Sequence, residues 1–172
     1  RRSDAVRQLV TLKINVDDEK KELRQSMFVI KEANTGKYRW VAFSSNSYRD
    51  RDGEIVSKQG LQNAVSQAEK TGYTGPLLWW HVPEIKLGEC DFSMVYDKVL
   101  IESGTFSNEK IGSRFSESAK ELEMSIKFIY DPQKLGKDGV YSDIVGIIER
   151  SALPAGTAAN ELTGMFVNKK EA

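Results

Sequence analysis

The single histidine of the chain, His81, is its only imidazole for acid–base chemistry near neutral pH. It directly follows the apolar segment 77–80 (LLWW), which we interpret as a strand. The functional interpretation is a general base, and the alternative is a partly buried histidine that makes one hydrogen bond. Its neighbours in sequence do not decide between the two, so the decision depends on a nucleophile elsewhere in the chain.

Ser125 is the candidate nucleophile with the most informative position. It lies in the middle of the segment 122–128 (LEMSIKF), where apolar residues alternate with Glu123, Ser125 and Lys127. A hydroxyl on a rigid strand is well held for attack if a base lies within hydrogen-bond reach. The alternatives are a solvated strand serine and a Ser–Lys pair with Lys127, although alternate residues on a strand are about 6.5–7 Å apart.

Glu149 and Cys90 complete the set of residues that could take part in such chemistry. Glu149 ends the apolar segment 144–148 (IVGII), and a carboxylate can orient an imidazole and stabilise its charged form. Alternatively, Glu149 marks the point at which that strand reaches water. Cys90 is the other candidate nucleophile, but a lone cysteine is more often a buried, inert residue.

Composition excludes several function classes. The chain has 172 residues, with 25 basic and 25 acidic side chains, so it lacks the basic excess of a nucleic-acid binder. One cysteine and one histidine cannot supply a zinc site or an internal disulfide, and no glycine-rich phosphate loop is present. The longest apolar run is far shorter than the roughly 20 residues of a membrane helix. We therefore expect neither nucleic acid, membrane nor metal as partners.

The elements that must position these residues are mostly strands. We predict strands over 27–30, 38–43, 77–81, 85–96, 99–106, 122–128 and 140–150; turns at 34–37 and 50–53; a polar loop over 131–138; and helices over 57–72 and from 107 or 108 onwards. About seven strands with two helices predict an α+β, mainly β fold, a closed or strongly bent antiparallel β-barrel flanked by helices.

Four segments together resemble the prohead (capsid maturation) protease family of tailed bacteriophages. The segments 48–56 (YRDRDGEIV), 78–81 (LWWH) with 86–88 (KLG), 124–128 (MSIKF) and 148–155 (IERSALPA) are similar to its turn, histidine, serine and Glu-x-Ser motifs. Each is short, but all four occur in the family's order over residues 38–156. Lys127 stands where the family often has glycine, which changes the space and charge beside Ser125.

The resemblance implies a fold, a site and a reaction. The family is related in fold to the herpesvirus assemblin proteases, which implies a closed β-barrel surrounded by helices. The resemblance also implies a serine endopeptidase with Ser125 as nucleophile, His81 as general base and Glu149 as the orienting group. No cofactor is implied. Residues 1–156 would form a single catalytic domain, and residues 157–172 a polar C-terminal tail leading towards a scaffold-like region.

The same resemblance implies the biological setting. The substrates would be scaffold segments, the extension of the major capsid protein and the protease itself, inside the immature capsid in the host cytoplasm, with self-association as a further expectation. One alternative is a catalytically inactive module with the protease fold that binds scaffold or shell. Another is a small β-barrel interaction domain unrelated to phage.

Overall fold

The computed structural model describes residues 38–169, which form nine strands and two α-helices. The strands are β1 (Tyr38–Asn46), β2 (Ile55–Val56), β3 (Pro76–Trp79), β4 (Val82–Tyr96), β5 (Val99–Phe106), β6 (Leu122–Tyr130), β7 (Val140–Tyr141), β8 (Ile144–Pro154) and β9 (Gly164–Lys169), and the helices are α1 (Lys58–Thr71) and α2 (Glu109–Ser118). The strand and turn predicted at 27–30 and 34–37 lie outside the described residues.

Seven strands form one curled sheet in the order β6-β8-β3-β4-β5-β1-β9, and β2 and β7 form a small parallel pair. Neighbours in the large sheet are antiparallel except for β3 and β8, which are parallel. The sheet bends until its edges approach, and the Met124 amide on β6 donates to the Thr163 hydroxyl just before β9 at 2.9 Å. The predicted mainly β, strongly bent sheet with flanking helices is therefore confirmed.

The inner face of the curled sheet carries the larger of two hydrophobic clusters. Met124 on β6 and Ala152 on β8 stand opposite each other and are both fully buried in it, together with Trp40 and Leu77. Because side chains alternate along a strand, the residues next to Met124 and Ala152 face the other way. This alternation places Ser125 and Ser151 on the outer face of β6 and β8.

The two predicted helices form where their capping residues indicated. The Ser57 hydroxyl accepts from the Gly60 amide at 3.0 Å at the start of α1, and the Asn108 side chain accepts from the Ile111 amide at 2.9 Å at the start of α2. Gly72 ends α1 with a φ of 70°, a left-handed conformation that glycine adopts without steric cost.

Towards the C-terminal end of the described residues, two predicted segments differ from the structure. The strand predicted over 140–150 is divided into β7 and β8 by residues 142–143, and β8 continues to Pro154. The polar tail predicted from residue 157 instead contains β9, which pairs with β1, and its Met165 is only 3 % exposed. The apolar part of β9 (MFV) is too short to give a periodic signal, so its strand character depends on the partner β1.

The predicted turn at 50–53 is present and anchors the loop that follows β8. The Asp50 carboxylate accepts from the backbone amides of Asp52 and Glu54, at 3.0 and 2.8 Å. The Arg51 side chain extends from this turn and donates to the carbonyl oxygens of Gly156 and Ala158, at 2.8 and 3.0 Å. The first of the four resembling segments is thus joined to the loop that directly follows the fourth.

Candidate active site

His81 lies in a tight turn and not, as predicted, at the end of a strand. β3 ends at Trp79, which pairs with Val82 on β4, so Trp80 and His81 form a two-residue hairpin turn. Their φ angles of 52° and 57° are in the left-handed region, which costs a residue other than glycine about 1–2 kcal/mol. Such turns usually carry Asn-Gly or similar pairs, so Trp-His gave no turn signal in the sequence.

The turn brings the His81 imidazole to Glu149 on β8. The ring atom Nδ1 contacts Oε1 of the Glu149 carboxylate, which is buried while 35 % of the histidine side chain is exposed. Since β8 continues for five residues beyond Glu149, this carboxylate does not mark the emergence of the strand into water. A carboxylate on Nδ1 fixes the ring's orientation and leaves Nε2 as the nitrogen that can exchange a proton.

Ser151 is a member of this site that sequence reasoning missed. Its side chain is fully buried; its hydroxyl accepts from the His81 backbone amide at 3.0 Å and donates to Oε2 of Glu149 at 2.9 Å. The signal in the sequence was the Glu-x-Ser spacing, because residues two apart on a strand share a face. That spacing alone did not show that the turn after β3 would lie over the side chains of Glu149 and Ser151.

Ser125 lies beside this cluster on the neighbouring strand. It stands opposite Ser151 in the β6–β8 register, so the two serines share the outer face, with Cβ atoms about 4.5–5.5 Å apart. Its side chain is partly exposed, which leaves it open to a substrate. No hydrogen bond joins Ser125 to His81 within residues 38–169; catalytic hydrogen bonds are often long before substrate binds.

Lys127 lies on the same face as Ser125 and opposite Glu149. It is exposed, and no hydrogen bond joins it to Ser125 among the described residues. The position therefore adds a positive charge at the rim of the site, two residues from the candidate nucleophile. The Ser–Lys alternative has no contact in this part of the chain to support it.

Cys90 is not available as a nucleophile. It is 4 % exposed within the inner cluster, and burial, followed by the nearby Glu102 carboxylate, raises its pKa to about 12. Because the thiolate is the reactive form, a thiol with this pKa is inert near neutral pH. Its sulfur contacts Phe92 and Glu102, and no hydrogen bond among the described residues joins it to His81 to support the Cys–His alternative.

The described residues contain neither a cluster of metal-binding side chains nor a helix that could span a membrane. Within 38–169, no three side chains of His, Cys, Asp or Glu are grouped so that they could hold a metal ion. None of the helices in the same range combines the length and the apolar character needed to cross a bilayer.

Comparisons with known proteins find similarity in fold. A scan against models of protein families gives no match, and no curated protein matches the chain. Among solved structures, the chain is similar to the Kaposi's sarcoma-associated herpesvirus protease in complex with an allosteric inhibitor, at 12 % identity and a TM-score of 0.45, over 78 % of this chain and 77 % of that one.

Two further structures of the same herpesvirus protease are also similar. The complex with a dimer disruptor matches at 12 % identity and a TM-score of 0.45, over 77 % of each chain. The complex with a hexapeptide phosphonate inhibitor matches at 13 % identity and a TM-score of 0.40, over 78 % of this chain and 66 % of that one. The similarity is one of backbone fold alone. The roles considered for His81, Ser125 and Glu149 rest on the geometry described above.

Proposed function

We propose that the chain is a serine endopeptidase in which Ser125 is the nucleophile, His81 the general base and Glu149 the group that orients the imidazole. The observation that carries the proposal is the contact between His81 Nδ1 and the buried Glu149 carboxylate. Ser125 supports it from the adjacent strand, since it shares the outer face with Ser151, which is hydrogen-bonded to both His81 and Glu149.

The proposed reaction is acyl transfer through a covalent intermediate. His81 Nε2 accepts the proton of the Ser125 hydroxyl as its oxygen attacks a peptide carbonyl, and then gives this proton to the leaving amine. A water molecule, deprotonated in the same way, hydrolyses the acyl-enzyme and restores the Ser125 hydroxyl. The Glu149 carboxylate stabilises the imidazolium that forms in each half-reaction.

The proposed substrates are scaffold segments and the extension of the major capsid protein, cut inside the immature capsid of a tailed bacteriophage. The support is the arrangement of the four segments that resemble the prohead proteases. Those at 124–128, 148–155 and 78–81 lie on β6, on β8, and on β3 with its following turn, which are neighbours in the sheet. The segment at 48–56 reaches the loop after β8 through Arg51.

The test uses a fluorophosphonate probe, which reacts with an activated serine whatever the peptide specificity. We expect stoichiometric labelling, with the modified peptide containing Ser125, and loss of labelling in Ser125→Ala and His81→Ala. Ser142→Ala, an exposed serine between β7 and β8, is the matched control and keeps full labelling. Cleavage of the capsid-protein precursor, followed on a gel, should be lost in the same two variants.

Two results would contradict the proposal. Labelling that persists in Ser125→Ala would assign the nucleophile to another residue. A folded parent chain that neither reacts with the probe nor cleaves the precursor, yet binds it, would support the inactive binding module instead.

A further inference from the structure

We propose that Ser151 is a positioning residue, which holds the His81 ring in line with Glu149 by binding the turn and the carboxylate at once. The proposal deepens the proposed function, and its effect on catalysis rests on that function. Its effect on the orientation of the imidazole does not, because that can be observed without any substrate.

One hydroxyl makes both connections. The Ser151 oxygen accepts from the backbone amide of His81 at 3.0 Å, and its proton goes to Oε2 of Glu149 at 2.9 Å. The other carboxylate oxygen, Oε1, contacts Nδ1 of the same histidine. The backbone and the ring of His81 therefore belong to one cyclic hydrogen-bond network, in which Ser151 links the backbone amide to the carboxylate.

The turn needs such an attachment because its conformation is unfavourable. Both Trp80 and His81 have positive φ angles, and neither is a glycine. The Trp80 amide donates to the Ala152 carbonyl at 3.1 Å, which holds the first turn residue through backbone alone. The amide of the second residue, His81, is held by the Ser151 side chain, so a substitution at 151 can release the histidine selectively.

Burial makes this attachment strong. Ser151 has no exposed surface and Glu149 is 5 % exposed, so water does not compete for their hydrogen bonds. Alanine at 151 would leave the Glu149 oxygen and the His81 amide without this partner, in a site where an unpaired polar group is costly. The expected response is a shift of the turn, which moves the ring away from its catalytic orientation.

The experiment compares four variants of the full chain. Ser151→Ala removes the hydroxyl, Ser151→Cys replaces it with a larger thiol that is only a weak donor, and Ser151→Thr keeps the hydroxyl. Ser103→Ala is the matched control, since Ser103 is also a buried serine that both accepts, from Arg39 at 3.2 Å, and donates, to the Trp40 carbonyl at 2.9 Å.

Two readouts are measured on each variant. In kinetics, Ser151→Ala and Ser151→Cys should lower kcat by about ten- to hundredfold with little change in KM, as for other residues that orient a catalytic group. In NMR of protein with ¹⁵N-labelled histidine, the single imidazole gives one set of signals. The hydrogen-bonded Nδ1 proton should be slow to exchange in the parent and exchange at least tenfold faster in these two variants.

The outcomes separate this proposal from the proposed function. Reduced kcat and faster Nδ1 exchange in the alanine and cysteine variants, with both restored in Ser151→Thr and unchanged in Ser103→Ala, would support it. Unchanged Nδ1 exchange would overturn it, whether or not activity falls. If the parent proves inactive, the proposed function fails but the NMR comparison still decides whether Ser151 positions the ring. If Ser151→Ala does not fold, Ser151→Cys provides the same comparison.

Discussion

The Glu149 carboxylate contacts Nδ1 of His81 although 68 residues separate the two in sequence. The contact depends on the single parallel pairing in the large sheet, in which Leu78 and Trp79 on β3 lie beside Ser151 and Ala152 on β8. This register carries the turn after Trp79 across the outer face of β8. Two strands that are far apart in sequence therefore bring His81 and Glu149 together.

Replacing Glu149 with glutamine should reduce kcat by about 10²–10⁴-fold with little effect on KM. The amide keeps the shape of the side chain but cannot stabilise the imidazolium, and it can favour the wrong tautomer of His81. Steady-state cleavage of a labelled peptide, or the rate of fluorophosphonate labelling, measures the effect. Glu89→Gln is the control, because the Glu89 side chain is 56 % exposed on β4 and away from the turn. A Glu149→Gln variant within twofold of the parent would show that Glu149 does not act on the imidazole during catalysis.

The sequence predicted most strands and both helices because local signals specify them. Alternation in β6 and the caps at Ser57 and Asn108 act within a few residues and need no information on tertiary contacts. The same alternation placed Ser125 on the face opposite Met124, as the structure has it. The sequence did not predict which strands are neighbours in the sheet, because strand pairing depends on contacts between distant segments.

The burial of charged residues was the feature of the fold that the sequence predicted least well. The strand predicted over 140–150 ends at Arg150, yet this residue is 1 % exposed and donates through Nε and Nη2 to the two carboxylate oxygens of Glu102 at 3.1 and 2.7 Å. In the sequence, Arg150 and Glu102 each have the pattern of a polar, solvent-facing position on a strand. Only the curl of the sheet, which brings β5 and β8 to the same interior, makes them a buried pair.

Breaking this buried pair should strongly destabilise the fold. Glu102→Ala or Arg150→Ala leaves one uncompensated charge in the interior and should lower the free energy of unfolding by about 3–5 kcal/mol, measured by urea denaturation. The double variant should cost less than the sum of the two, since it leaves no unpaired charge. Lys86→Ala breaks an exposed pair with Glu89 and should cost no more than about 0.5 kcal/mol. Additive effects of Glu102→Ala and Arg150→Ala would contradict the pairing.

The Cys90 thiol should be unreactive in the folded protein. With a pKa of about 12, about one molecule in 10⁴ carries the thiolate at pH 8, and burial also blocks access. Alkylation by iodoacetamide should therefore be at least a hundredfold slower in buffer than in guanidinium chloride. Cys90→Ala should keep peptide cleavage within about twofold of the parent if the protein folds, because the thiol lies in the inner cluster. Equal alkylation rates in the two solvents would show that this cluster is open.

Tyr141 should make stability fall at alkaline pH. Its hydroxyl donates to Oε1 of Glu54 at 2.7 Å, and this bond, followed by burial, raises the pKa of Tyr141 to about 12. The pKa in the unfolded chain is about 10. Because the folded state holds the proton more tightly, the contribution is fully present below about pH 10 and is lost as pH rises from about 10 to 12.

Tyr141→Phe tests this linkage directly. Without the hydroxyl, the free energy of unfolding at pH 8 should fall by about 1–2 kcal/mol, because a hydrogen bond to a carboxylate is lost. Between about pH 10 and 12, the free energy of unfolding should fall less steeply with pH than it does in the parent. The difference in slope should be up to about 1.4 kcal/mol per pH unit, because one proton is involved. Urea denaturation at several alkaline pH values measures both quantities. Glu54→Gln is the complementary variant, since it removes the carboxylate that accepts from the Tyr141 hydroxyl and should make the alkaline decline shallower in the same way. An unchanged slope in Tyr141→Phe would assign the alkaline loss of stability to another group.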